Sequence, residues 1–128
     1  MSMTAAFDLT NGAVVLRLIC ALFFFPHLYF KVVGNPPPAL GFFEKAGFKP
    51  AVLYMRIATV IEIVAALGLL FAIYTQWAAL LAAAHLAVAA VAVCFFNGSF
   101  RWLWNLGGME FCVFWAIACV AVAMLYWS

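Results

Sequence analysis

Charged side chains are scarce in this sequence. Lysine, arginine, aspartate and glutamate make up 8% of its 128 residues, whereas they make up about 25% of a typical soluble domain. Hydrophobic residues account for 71% of the chain, and its mean hydropathy is +1.21. Because a water-soluble fold of this length could not bury so much apolar surface, the composition excludes that class. We expect most of the chain to lie in lipid.

The sequence also lacks the patterns that several function classes require. The net charge is only +2 and there is no basic run, so nucleic acid is not expected as a partner. The cysteines form no C-x-x-C pair, and no facing haem ligands, iron–sulfur set or dinucleotide fingerprint occurs. We therefore predict no metal site and expect the cysteines to pack as small apolar side chains. They are Cys20, Cys94, Cys112 and Cys119.

The N-terminal segment does not have the features of a cleaved signal peptide. Residues 1–12 contain no lysine or arginine, so the basic start of such a peptide is missing, and no small-x-small cleavage pattern follows a short apolar core. We expect the first hydrophobic segment to be retained as a helix.

Four apolar runs are long enough to cross a membrane, since a helix needs about 20 residues to span an apolar core of about 30 Å. Backbone amides in hydrocarbon must be bonded within the protein, and these runs do not alternate as barrel strands do. The predicted fold class is therefore all-α, an integral membrane four-helix bundle that forms a single domain over residues 1–128. The predicted spans are 13–33, 51–73, 76–96 and 107–127.

The connections between the spans differ in length and composition. The second and third spans are so close that they must form an antiparallel hairpin. The loop 34–50 contains three consecutive prolines and an aromatic, interfacial segment, and the loop 97–106 contains Trp102 and Trp104, which favour the headgroup level. Both loops are expected on one side of the membrane, with both termini on the other. The basic residues Lys31, Lys45, Lys49, Arg56 and Arg101 belong to the loop side, which the positive-inside rule places in the cytoplasm.

Ionisable side chains occur inside the predicted spans, although each costs about 2.5–3.5 kcal/mol there. His27 and Lys31 are one helical turn apart on one face of the first span and lie at the depth of Glu110, which predicts one cluster. Glu62 and His85 lie in the middle of the hairpin helices, which predicts a second pair. Pro26 should kink the first span. For the two remaining residues, Arg17 and Arg56, snorkelling to the headgroups is expected.

These polar residues follow a pattern that resembles the DoxX family. The first part reads R-L-x(n)-F-x-x-H-x-x-x-K and is followed by a glutamate in the middle of the second span. The second part reads N-G-x-F, then W-x(n)-G-G-x-E. The residues of this sequence that carry the pattern are Arg17, Leu18, Phe24, His27, Lys31, Glu62, Asn97, Gly98, Phe100, Trp104, Gly107, Gly108 and Glu110.

The resemblance implies a small four-helix membrane protein linked to membrane redox complexes. The leading hypothesis is an accessory subunit of a bacterial inner-membrane oxidoreductase that contacts quinone and is itself non-catalytic. One alternative is a structural subunit without a ligand, whose buried charges only fix the packing of the helices. The second alternative is a small proton-linked transporter. The expected partners are lipid and other membrane subunits or further copies of this chain, and the candidate ligand-binding or proton-handling residues are His27, Lys31, Glu62, His85 and Glu110.

Overall fold

The computed structural model describes residues 3–127, apart from the side chains of Met3, Thr4 and Trp104. This part of the chain contains only helices, turns and loops, which confirms the predicted all-α class. The helices are α1 (Met3–Ala6), α2 (Gly12–Leu22), α3 (Phe24–Val32), α4 (Ala39–Lys45), α5 (Ala51–Leu70), α6 (Thr75–Asn97) and α7 (Glu110–Leu125), with a short 3-10 turn at Trp104–Leu106.

The first predicted span consists of two helices, α2 and α3, that follow each other with a break at Phe23. Pro26 explains the break, because it has no backbone N–H and its ring clashes with the carbonyl four residues earlier, at Leu22. The expected kink is therefore present as an interruption. Together the two helices cover Gly12–Val32 and are long and apolar enough to cross a membrane, as are α5 and α6.

The fourth helix, α7, is shorter than the predicted span. It has 16 residues, which corresponds to about 24 Å of helix. The segment before it folds as a loop, in which Gly107 has a φ of +74°. A Cβ on the next residue, Gly108, would collide with the backbone carbonyl of Trp102. The helix therefore begins at Glu110, three residues after the predicted start.

Small side chains let the helices of the bundle pack closely. Ala65 on α5 and Ala79 and Ala82 on α6 are completely buried. A Cβ on Gly68 would lie 2.7 Å from the Cβ of Ala78, which shows how near α5 and α6 come at their hairpin. Such contacts are typical of membrane helices, where van der Waals packing drives association.

The two ends of the bundle are built differently. At one end α4 closes over the helices, and the ring of Phe42 stacks on that of Phe96, at the end of α6, with 5.0 Å between centroids. At the other end the indoles of Trp77, just after the hairpin, and Trp127 are 5.2 Å apart. The two long loops therefore share one end, and the hairpin and the C-terminal segment share the other.

Candidate functional site

Three ionisable side chains from three helices meet inside the bundle. Glu62 on α5 is 2% exposed. Its Oε2 lies 2.9 Å from Nζ of Lys31 on α3 and 3.4 Å from Nε2 of His85 on α6. Lys31 also donates a hydrogen bond of 3.2 Å to Oε1 of Glu62. We call these three residues the Lys31–Glu62–His85 triad.

The contact between Glu62 and His85 confirms the pair predicted from their depth in the two hairpin helices. The contact of Lys31 with Glu62 was not predicted, and the expected pairing of Lys31 with Glu110 is wrong. In a helix the Cα–Cβ bonds tilt towards the N-terminus. The long side chain of Lys31 therefore extends back along α3, where Nζ also lies 3.5 Å from the carbonyl oxygen of His27. This direction carries the ammonium group away from the loop end and towards the middle of α5.

Glu110 and His27 lie outside the triad. Glu110 is half-buried in the first turn of α7, and it forms no ion pair among the described residues. His27 is exposed on α3, and its ring centroid lies 5.3 Å from that of Trp115. The predicted cluster of His27, Lys31 and Glu110 is therefore not formed as expected, although His27 and Glu110 both line one membrane-facing groove.

A cavity of about 380 Å³ adjoins the triad. Its wall is mostly apolar and aromatic, with side chains from α3, α4, α5, α6 and α7, and the triad and His27 supply its acidic and basic groups. Ligand sites in proteins have this character, a concave apolar surface with a few polar groups that fix orientation. The aromatic members of the wall are Phe24, Phe30, Phe42, Phe43, Phe48, Tyr54, Phe111 and Trp115.

Trp115 on α7 is a site residue that the sequence analysis missed. It is buried, its ring centroid is 4.4 Å from that of Phe24, and its indole N–H donates to the carbonyl of Cys20 over 3.3 Å. These contacts fix the ring between α7 and the broken helix pair. In the sequence it is one of many aromatic residues in an apolar run, and no local signal distinguishes it.

The second part of the sequence pattern shapes a loop and does not contribute to the triad. Asn97 donates from Nδ2 to the carbonyl of Gly107 over 2.9 Å. Gly98 ends α6 with a φ of +72°, which a residue with a side chain rarely adopts. Trp104 begins the 3-10 turn, and its side chain lies outside the described part of the structure. These residues belong to the loop that connects α6 to the start of α7 at Glu110.

Arg17 is completely buried, so the expectation that it snorkels to the headgroups is wrong. Its guanidinium group donates to the carbonyl of Ala6 and lies 3.4 Å from the hydroxyl of Tyr126. The terminal helix α1 and the end of α7 therefore enclose it. Arg56, by contrast, is exposed on the first turns of α5.

The cysteines occupy the positions expected of small apolar side chains. Cys20, Cys112 and Cys119 are buried, and Cys94 is half-buried with its thiol 3.4 Å from the sulfur of Met109. Among the described residues there is no group of three or more histidine, cysteine, aspartate or glutamate side chains that could hold a metal ion.

Comparison with known proteins gives the family of the chain. The family model DoxX matches residues 12–94, which is more than half of the chain and contains the whole triad. The match ends before the loop pattern that begins at Asn97. No curated protein and no solved structure matches the sequence significantly. With its apolar helices and this match, the chain belongs to the DoxX family and is an integral membrane protein.

Proposed function

We propose that this protein is a non-catalytic accessory subunit of a bacterial inner-membrane oxidoreductase and that it binds a quinone headgroup in the cavity beside the Lys31–Glu62–His85 triad. The observation that carries the proposal is the triad itself. It brings a carboxylate, an ammonium and an imidazole together next to an aromatic cavity in the membrane interior.

The energetics of buried charge support a role beyond packing. Taking an ion pair out of water costs several kcal/mol per ion, and apolar residues of similar volume often stabilise a fold equally well or better. The side chains of Lys31 and Glu62 are only 12% and 3% exposed. A bundle that needed only close contact between α3 and α5 could achieve it with apolar residues alone.

The triad has hydrogen-bonding capacity to offer a ligand. An ammonium group has three donors, and Lys31 uses them for Glu62 and, at 3.5 Å, for the carbonyl of His27. A quinone carbonyl oxygen in the cavity would take the donor that now makes the long contact with the carbonyl of His27. Oε2 of Glu62 accepts no hydrogen bond of good geometry among the described residues, so it can accept one from a quinol hydroxyl. His85 supplies a further group able to take up or release a proton.

The cavity suits a ring in both size and surface. Its volume of about 380 Å³ is at the lower end of the range of about 300–1,000 Å³ for ligand pockets. Aromatic side chains can pack against a planar ring in offset or edge-on arrangements. The ring of Phe24 and the ring of Trp115, 4.4 Å apart, form one such wall.

The proposed partners are other membrane subunits or further copies of this chain. The proposed orientation of this protein in the membrane follows from its basic residues: the loop end lies in the cytoplasm and the termini lie outside. Lys45, Lys49, Arg56 and Arg101 are exposed and belong to this loop end.

The proposal is tested in the parent complex, purified from native membrane through this subunit. Glu62→Gln should lower quinone-dependent turnover by about tenfold, because the neutral amide can neither balance the charge of Lys31 nor take up a proton from a quinol. The matched control is Glu44→Gln, since Glu44 is exposed on α4 and should leave turnover unchanged. Both variants should remain in the complex.

Two other results would favour the two alternative functions, a purely structural subunit and a proton-linked transporter. If Glu62→Gln released the subunit from the complex while the remaining turnover per complex stayed normal, the role would be structural. If the purified protein alone moved protons across liposomes in a Glu62-dependent way, it would be a transporter.

A further inference from the structure

A second hollow lies beside the cavity and shares a wall with it. This groove has a volume of about 810 Å³ and runs between the broken helix pair α2–α3 and helix α7. Three residues line both hollows: His27, Phe111 and Trp115. The cavity and the groove therefore adjoin each other at these residues.

The groove has the surface expected for an apolar chain. Along most of its length it is lined by residues such as Ile19, Phe23 and Ile117, which are 41%, 59% and 63% exposed. The acidic and basic side chains among the residues that line it are those of Glu110 and His27, and Glu110 lies at the loop end of α7. It spans nine residues of α7, from Glu110 to Ala118, or about 12 Å of helix.

Trp115 and His27, two of the residues shared by the cavity and the groove, differ in how firmly their surroundings hold them. Trp115 is held by its hydrogen bond to Cys20 and by the ring of Phe24. His27 is exposed, and it lies four residues after the helix break at Phe23, where the regular backbone ladder is interrupted. A rotation of the exposed His27 side chain would leave the contacts of Trp115 with Cys20 and Phe24 in place.

From this arrangement we infer that the cavity and the groove form one binding site for a molecule with a planar polar head and a long apolar chain. The head lies in the cavity beside the triad, the chain lies in the groove between α2–α3 and α7, and His27 is the side chain that yields between them. The inference rests on the proposed function for the identity of the head. The cavity of about 380 Å³ is near the lower end of the range of about 300–1,000 Å³ for ligand pockets, and the groove is the apolar surface that adjoins it.

The test compares two probes, a dimethoxy-methyl-benzoquinone without a chain and its decyl derivative, in calorimetric titrations of the full-length protein in phosphatidylcholine nanodiscs. The wild-type protein should bind the decyl derivative about tenfold more tightly. The double variant Ile19→Trp/Ile117→Trp fills the groove from both sides, so it should abolish this preference and leave the affinity for the chainless probe unchanged.

The matched control is Val60→Trp/Val64→Trp. Both valines are exposed on α5, at 60% and 55%, and line neither hollow, so this variant should keep the wild-type preference. Equal preference in all three proteins would overturn the inference while leaving the proposed function standing. Failure of the proposed function is separate: the chainless probe would not bind, or Glu62→Gln would not weaken it.

A second measurement does not depend on how the tryptophan variants fold. A decyl quinone with a photoreactive diazirine at the chain end is irradiated with the wild-type protein, and the labelled peptides are identified by mass spectrometry. Labels should fall on α2 and α7. Labels on α5 near Tyr54 and Ile57, which line the cavity but not the groove, would show that the chain leaves by another route and would overturn the inference.

Discussion

Glu62 lies at the centre of the site because two partners from different helices converge on one carboxylate. Lys31 reaches it from α3 at 2.9 Å and His85 from α6 at 3.4 Å. A carboxylate 2% exposed in a membrane protein would be very costly without such partners. The triad therefore ties three helices together through groups that can also hold a proton.

Removing the ammonium group of Lys31 should lower the free energy of unfolding. Lys31→Met leaves the carboxylate of Glu62 buried without its cation, and breaking a buried pair in this way costs about 3–5 kcal/mol. The double variant Lys31→Met/Glu62→Met removes both charges and should recover most of that loss. Denaturant unfolding in detergent micelles measures both effects.

Lys49→Met is the matched control, since Lys49 is exposed in the loop before α5 and its change should leave the free energy of unfolding almost unaltered. A double variant less stable than Lys31→Met alone would contradict this view, because the charges would then be needed for the fold itself.

At the level of helices and loops, the break at Phe23 and the loop before α7 determine where the site residues lie. Pro26 interrupts the first span beside the groove, and the loop 98–109 sets the start of α7 and therefore the position of Trp115. The loop is held by backbone bonds, including those from Gly108 to Leu103 and from Glu110 to Trp102, of 2.8 and 3.1 Å. These bonds fix the path of the loop in the structure.

Gly108→Ala tests how closely the loop packs around this glycine. The added Cβ would collide with the backbone carbonyl of Trp102 and lie 2.6 Å from the carbonyl oxygen of Leu103. Because backbone cannot move aside cheaply, we expect a loss of about 1–3 kcal/mol. Gly41→Ala is the matched control: a Cβ there meets nothing within 4 Å, and alanine favours the helix α4. Thermal unfolding of the two variants should differ clearly, and equal melting temperatures would contradict the close packing.

The whole molecule shows which features the sequence could predict. Composition and run length were sufficient for a helical membrane protein, because lipid permits few backbone structures. Depth along the helices was sufficient for the pair of Glu62 and His85, since a short hairpin fixes the register of its two helices. These inferences depend on local or nearly local constraints.

The features that were missed depend on contacts between distant parts of the chain. Arg17 is buried because α1 and Tyr126 close over it, and nothing near Arg17 in the sequence indicates that cover. Lys31 was paired with Glu110 by counting residues from the span ends, which ignored the direction of its side chain. The start of α7 was missed because Gly107 and Gly108 continue an apolar run yet are required by the loop.

The bundle as a whole presents a closed end with basic residues and an opposite end formed by the hairpin and the described terminal segments. Between them, the cavity and the triad lie within the helical part of the protein, so under the proposed function a lipid-soluble ligand would reach them from the membrane. This position, together with the aromatic wall, is why a membrane-borne ring compound is the ligand that fits the account best.

The most direct test is the binding of the chainless benzoquinone to the double variant Lys31→Met/Glu62→Met, measured by calorimetry in nanodiscs beside the wild-type protein and Glu44→Gln. The account predicts that the double variant, though folded, binds the quinone at least about tenfold more weakly than the other two proteins. Equal binding by all three proteins would contradict this prediction, because the binding of the quinone headgroup would then not depend on the triad.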